Sequence, residues 1–192
     1  MLSNDKLIFA VPRGRILDDV MPLIRRAGIE PEDSFWDKDA RQLCFSTSDP
    51  SLDMVRVRSF DIATMIAYGA AHIGIAGLDV LMEFDSREIY APLDLGVGAC
   101  RMIVAESEEF APSDDPRRWS HIRIATKYPE LTRRHFAARG VHAECVKMNG
   151  AIEIAPAMGL CQRIVDLTST GETLKANGLV EVEEIAKITS RL

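Results

Sequence analysis

Ile164-Val165-Asp166-Leu167-Thr168-Ser169-Thr170-Gly171-Glu172-Thr173-Leu174 carries an apolar strand into a cluster of hydroxyls and a glycine, and then into a helical pattern. Backbone N–H groups at a helix start lack intrahelical partners and lie at the positive end of its dipole, so a phosphate there meets several donors at once. Thr168, Ser169, Thr170 and Thr173 add hydroxyls, and Gly171 lets an anion approach without a Cβ in the way. An ordinary capped strand-to-helix turn has the same letters. Asp166 favours the ligand: a carboxylate at the strand end repels a bare phosphate but suits the hydroxyls of a ribose attached to one.

Short apolar runs alternate with helical periods along the rest of the chain, the pattern of an α/β protein with a largely parallel sheet. Leu7–Val11 reads as the first strand, followed by a helix that Pro22 should kink or split. Met54–Val57 is a strand, Asp61 caps the next helix, and Ile73–Ala76 is a further buried strand. Glu106–Ser120, charged and proline-containing, reads as a surface loop. Strands at Ile122–Ala125 and Ala143–Val146 flank a helix from Pro129 to Gly140. The expected organisation is one lobe of residues 1–90 with 178–192 and a second of 91–177, Leu179–Leu192 returning to the first lobe's sheet.

The 192 residues, 47% hydrophobic and 27% charged, can bury a core, and a net charge of −6 excludes a general nucleic-acid surface. Four scattered cysteines form no C-x-x-C pair, and the four histidines show no metal-ligand spacing. Leu7–Val11 is too short for a signal-peptide core or a membrane span, so a cytoplasmic protein is expected. Neither G-x-G-x-x-G opening a helix nor a P-loop is present.

Basic residues near strand ends are the other candidates, because open α/β sheets place ligands at the carboxyl ends of their strands. Arg13 and Arg15 follow the first strand. Arg56 and Arg58, at alternate positions, would share one strand face and form a fork for polyphosphate oxygens, unless they are simply solvated. Glu153 lies in an apolar run and needs a partner, either a ribose diol, a cation or a structural salt bridge. Asp94 stands beside Gly96 and Gly98, which allow close approach of a ligand. Cys100 reads as a small buried residue rather than a nucleophile, and Lys127 at a strand end is weak evidence of function.

These pieces resemble the ATP phosphoribosyltransferase family in its short form. The resemblance runs through Val11–Arg15, Arg56–Ile62, Ile73–Asp79, Asp94–Cys100, Arg123–Pro129, Asn149–Pro156, Val165–Leu174 and Asn177–Leu179. Each segment alone is weak; their order over nearly the whole length is specific. The resemblance implies a two-lobed α/β fold of the periplasmic-binding-protein type (type II), with the active site in the interlobe cleft. It implies a pentosyl transfer in which N1 of ATP displaces pyrophosphate from phosphoribosyl pyrophosphate with Mg²⁺ carried by substrate, the first step of histidine biosynthesis.

By position, Glu153 and Asp166 would take the ribose hydroxyls, and Thr168, Ser169, Thr170, Gly171, Glu172 and Thr173 the 5-phosphate. Arg13, Arg15, Arg56 and Arg58 would hold pyrophosphate or ATP phosphates, with Asp79, Asp94 and Cys100 lining the nucleotide pocket; Arg15, Arg56, Arg58, Glu153 and Asp166 would be catalytic. The family commonly has lysine at the position of Arg13. The short form has no C-terminal regulatory domain, and a homodimer joined by a histidyl-tRNA-synthetase-like subunit is implied. Two alternatives remain at this level: a non-catalytic solute-binding protein, which would share the fold, and a phosphoribosyltransferase for another base.

Overall fold

The computed structural model describes residues 6–37 and 41–192. Two compact units divide it, one running to Gly98 and resuming at Thr189–Leu192, the other Ala99–Ile188.

In the first unit, β1 (Leu7–Val11) leads into α1 (Arg15–Arg26), followed by β2 (Cys44–Ser46), β3 (Leu52–Arg56), α2 (Ser59–Ala67), β4 (Ile73–Gly74), β5 (Ala76–Gly77) and α3 (Leu78–Phe84). The sheet order is β2-β3-β1-β4, with β1 parallel to β3 and β4 and β2 antiparallel at the edge. Phe9 and Val11 pack with Leu17, Val20, Met21 and Ile24 of α1, whereas Ile8 and Ala10 pack with Ile62, Ala63 and Val80 of α2 and α3. Burial on both faces explains why β1 is an unbroken apolar run instead of an alternating one.

Several local expectations shift. Helix α1 runs through Pro22 without splitting, because the face Leu17-Val20-Met21-Ile24 is buried on either side of it. Strand β3 ends at Arg56, and α2 begins at Ser59 with Arg58 in the N-cap position; Asp61 is in the first turn and makes no capping bond. The run Ile73–Ala76 breaks at Ile75 into β4 and β5, which serve different partners.

The second unit holds β6 (Cys100–Ser107), β7 (His121–Thr126), α4 (Pro129–Ala137), β8 (His142–Lys147), β9 (Arg163–Thr168), α5 (Glu172–Ala176) and β10 (Leu179–Ile188). Its sheet order is β10-β6-β9-β7-β8, with β7, β8 and β9 mutually parallel and β6 and β10 antiparallel. The expected return of the whole C-terminal segment to the first unit is corrected here. Leu179–Ile188 covers the free edge of β6, with register shifts at Glu181/Glu183 and Glu184/Ala186, and only β11 (Ser190–Arg191) pairs with β5. The boundaries therefore fall after Gly98 and Ile188, later than residues 90 and 177.

The expected surface loop Glu106–Ser120 is partly inside. Glu106 is the seventh residue of β6 and 2% exposed, and with Asp114 it encloses the Arg163 guanidinium, which lies 4.9 Å from the Phe110 ring centre and 4.5 Å from that of Trp119. No described helix is long and apolar enough to cross a membrane.

Candidate active site

Strands β7, β8 and β9 run parallel, so their carboxyl ends open on one edge of the second unit's sheet. The loop after β9 and the turn after β8 meet there around a cavity of about 110 Å³, lined by Thr168–Gly171, Thr173, Glu153 and Asp166. The hydroxyl-rich loop and both carboxylates thus come together as the sequence implied.

Within the loop, Gly171 has φ 78°, a conformation that favours glycine. Its N–H donates to Thr168 Oγ1 at 3.0 Å, and the Glu172 N–H donates to Thr170 Oγ1 at 3.4 Å. The hydroxyls therefore organise the loop before any anion arrives. Helix α5 has only five residues, so the dipole contributes less than the strand-loop-helix pattern suggested, and close N–H and O–H donors carry more. Glu172 is exposed and does not line the cavity; its N–H takes part in the loop's hydrogen bonding.

Asp166 is half-buried on β9, and its own carboxylate accepts the Leu167 N–H at 2.8 Å. Burial, aided by the neighbouring Glu153 charge, pushes its pKa up to about 6 against the opposing pull of the Leu167 N–H and Lys127. Glu153 lies in a short 3₁₀ turn, Ile152–Ile154, entered through Ala151 at φ 50°, ψ 40°. A non-glycine residue in the left-handed region costs conformational energy and is held by its surroundings; here it aims the turn that carries Glu153. Sequence reasoning missed Ala151, although the Asn149-Gly150 turn signal just before it marks an irregular backbone.

Arg13 and Arg15 follow β1, Arg58 follows β3, and all three are exposed. The Arg13 Nε–H donates to the Arg56 carbonyl at 3.3 Å. The expectation that Arg56 and Arg58 share one strand is corrected: β3 ends at the half-buried Arg56, and the exposed Arg58 is the N-cap of α2. The Arg56 guanidinium carbon is 5.2 Å from the ring centres of both Phe35 and Phe45, and its N–H groups donate to the Phe35 and Asp37 carbonyls. Arg56→Ala is accordingly expected to cost about 1–2 kcal/mol of stability through lost cation–π and hydrogen-bond contacts. Arg58→Ala should leave the melting temperature unchanged and slow turnover about tenfold if it meets a phosphate. Melting curves and steady-state kinetics on the two variants check the split; equal thermal loss in both would contradict it.

Asp79 is 8% exposed in the first turn of α3, with Oδ1 so close to Gly77 that a Cβ there would lie 2.1 Å away. Its carboxylate is turned onto its own helix start. Asp94 accepts the Gly96 N–H at 2.9 Å and pairs with Arg191 at 3.1 Å; the Gly96 N–H, with the Thr189 hydroxyl and Arg191, holds its carboxyl below the usual range. It anchors the returning strand β11. Cys100 opens β6, half-buried. These three residues are tied into the fold and do not line the Glu153–Asp166 cavity.

A family model described as ATP phosphoribosyltransferase (HisG) matches residues 58–192. An ATP phosphoribosyltransferase of Rhodospirillum rubrum is 70% identical over 188 residues, 98% of this chain and 83% of the relative. The chain belongs to the ATP phosphoribosyltransferase (HisG) family. A HisG-family structure, the ATP phosphoribosyl transferase (HisG:HisZ) complex from Thermotoga maritima, superposes with a TM-score of 0.78 at 31% identity, covering 96% of this chain and 85% of that one. The structure of Tv2483 bound to L-arginine matches at a TM-score of 0.59 and 15% identity over 98% of this chain and 77% of that one. The latter likeness concerns the fold alone, and the HisG fold is the two-lobed α/β type of periplasmic binding proteins. Family membership sets aside the non-catalytic binder and the transferase for another base.

Proposed function

We propose that this ATP phosphoribosyltransferase holds the phosphoribosyl half of its substrate in the second unit, on the loop Thr168–Thr173 with Glu153 and Asp166. The observation that carries this assignment is a small cavity lined by both a hydroxyl-rich loop and two carboxylates. The loop takes the 5-phosphate and the carboxylates take the ribose hydroxyls.

In the transfer, N1 of the ATP adenine forms a bond to C1 of the sugar while the C1–O bond to pyrophosphate breaks and its electron pair leaves with pyrophosphate. Positive charge builds on the sugar ring and negative charge on the leaving group, so no enzyme nucleophile is required. Glu153 and Asp166 favour the cationic ring at short range. Arg13, Arg15 and Arg58 act on the polyphosphates as fixed cations, and Arg56 supports them by positioning the end of β3. Among the described residues no group of three or more His, Cys, Asp or Glu could hold a metal ion, so Mg²⁺ would be carried by the substrate and would supply charge neutralisation of the departing pyrophosphate.

The Thermotoga maritima HisG:HisZ complex supports a hetero-oligomer with a separate subunit; the assembly proposed is a homodimer of this chain joined by a regulatory subunit resembling histidyl-tRNA synthetase. Feedback by histidine would then be a coupling free energy between that subunit and the transferase site. Four free cysteines and substrates made inside the cell support a cytoplasmic enzyme.

Gly171→Val tests the loop. A Cβ at Gly171 meets no atom within 4 Å, so the fold tolerates it apart from φ strain of about 1–2 kcal/mol, while an incoming phosphate meets the new side chain. Steady-state kinetics should show kcat/KM for phosphoribosyl pyrophosphate falling about ten- to a hundredfold, with little change in KM for ATP. An unchanged KM for phosphoribosyl pyrophosphate in the folded variant removes the loop from the site.

A further inference from the structure

Three loops leave the carboxyl ends of β7, β8 and β9, and the assignment above uses two of them. The third is the turn Lys127–Tyr128 between β7 and α4. Strand β7 is in register with β9, Ile124 opposite Arg163 and Thr126 opposite Val165, so the next step along both chains brings Lys127 beside Asp166. The turn is fixed on both sides: the buried Thr126 Oγ1 accepts the Tyr128 N–H at 2.9 Å, Tyr128 is 2% exposed, and Pro129 opens α4. Lys127 itself is half-buried, with Nζ 6.0 Å from the centre of the Tyr128 ring, and it does not line the cavity.

We propose that Lys127 is a positioning residue for phosphoribosyl transfer, the cation that faces the Asp166 carboxylate from outside the cavity and keeps it turned on the ribose beside Glu153. The inference rests on the assignment of Asp166 to the ribose. Two carboxylates around so small a cavity repel each other, and burial disfavours their charged forms. A cation inside the cavity would relieve the repulsion but oppose the positive charge that develops on the sugar. Placed outside it, beside Asp166, the same charge supports the carboxylate with a weaker effect on the ring.

The groups facing Asp166 from its surroundings are consistent with this role. Its own strand supplies the Leu167 N–H, the turn after β8 supplies Glu153, and the turn after β7 supplies Lys127. On the other side, β6 places the apolar Ile103 opposite Asp166, and the nearby Arg101 is engaged by Glu181 and Glu184 of β10. Lys127 is thus the charge that opposes Glu153 at this carboxylate.

The test uses Lys127→Gln and Lys127→Arg in the full chain with two readouts. Carboxyl ¹³C NMR of the ligand-free protein follows the titration of Asp166, and steady-state kinetics follow kcat/KM for phosphoribosyl pyrophosphate between about pH 6 and pH 9. Removing an opposite charge at short range should raise the Asp166 titration by about one pH unit in Lys127→Gln, with recovery in Lys127→Arg. The kinetic deficit of Lys127→Gln should be about fivefold at the acid end and close towards wild type as pH rises. A merely structural lysine would give a deficit independent of pH. If Asp166 titrates at the same pH in wild type and Lys127→Gln, the inference is overturned, even where Gly171→Val abolishes substrate binding. Failure of the loop assignment shows separately, in the Gly171→Val kinetics.

Discussion

Asp166→Asn is expected to lower kcat/KM by about a hundred- to a thousandfold and, at the same time, to make the protein more stable at pH 8. The first effect follows from removing charge stabilisation in a partly desolvated site, where a single well-placed group contributes about 2.7–4 kcal/mol. The second follows from linkage. Asp166 titrates at about 6 in the folded chain, above its ordinary carboxylate range, chiefly because it is buried. A raised folded-state pKa gives stability that is full below about pH 4 and is lost as pH rises through about 6, so at pH 8 the charged carboxylate costs on the order of 2 kcal/mol. Asparagine keeps the acceptor for the Leu167 N–H, 2.8 Å away in the wild type, and carries no charge. Urea denaturation at pH 5 and pH 8 should show a stability gain that is clearly smaller at the lower pH, which lies inside the window where the wild-type advantage is being lost. A variant that loses both activity and stability at pH 8 would mean that Asp166 serves the fold and not the substrate.

Arg163→Ala should cause the largest stability loss in the chain, about 3–5 kcal/mol, because it strands two buried carboxylates. Arg163 is 7% exposed and stacked between Phe110 and Trp119, with Asp114 and Glu106 beside its guanidinium. The 3.3 Å approach of its Nε to Glu106 is not aligned as a hydrogen bond. Burial and the adjacent Asp114 push Glu106 up to about 7, while Asp114, despite its own burial, is held below the usual range by hydrogen bonds from Arg163, Trp119 and Glu106. The pair therefore holds a proton below about pH 7 and loses it above, with Glu106 the more basic of the two carboxylates. By the same linkage sign as for Asp166, the Glu106 contribution is full below about pH 4.5 and is lost as pH rises through about 7. Glu106→Gln, a fixed mimic of the protonated acid, should flatten that loss. Denaturant midpoints of Arg163→Ala within error of wild type would contradict the cluster's role.

The site was more legible in the sequence than the supports around it. The strand-loop-helix from Ile164 to Leu174 is contiguous, so its residues are read together from the sequence, and the structure brings Glu153 to the same cavity across one parallel strand. Placing Arg56 and Arg58 on one strand was a misreading because the strand stops at Arg56. What captures Arg56 is a pair of aromatic rings from a turn and an edge strand, which periodicity does not reveal. The return of Leu179–Ile188 was misread for a related reason: two register shifts blur its alternation, and the edge of β6 that it covers becomes visible only once the sheet order is known. Glu106 and Arg163 illustrate the same limit. In sequence they are a charge at the start of a polar stretch and a charge before an apolar strand, and only the pairing of β6 with β9 places them opposite each other.

The most direct test of the phosphoribosyl assignment titrates ribose 5-phosphate into the ¹⁵N-labelled chain and follows its backbone amides by NMR. Saturable shifts are predicted at Thr168 to Thr173 and at the Ile152–Ile154 turn, and they should vanish in Gly171→Val. Saturable shifts at the residues following β1 and β3, with the Thr168–Thr173 amides unmoved, would contradict the account.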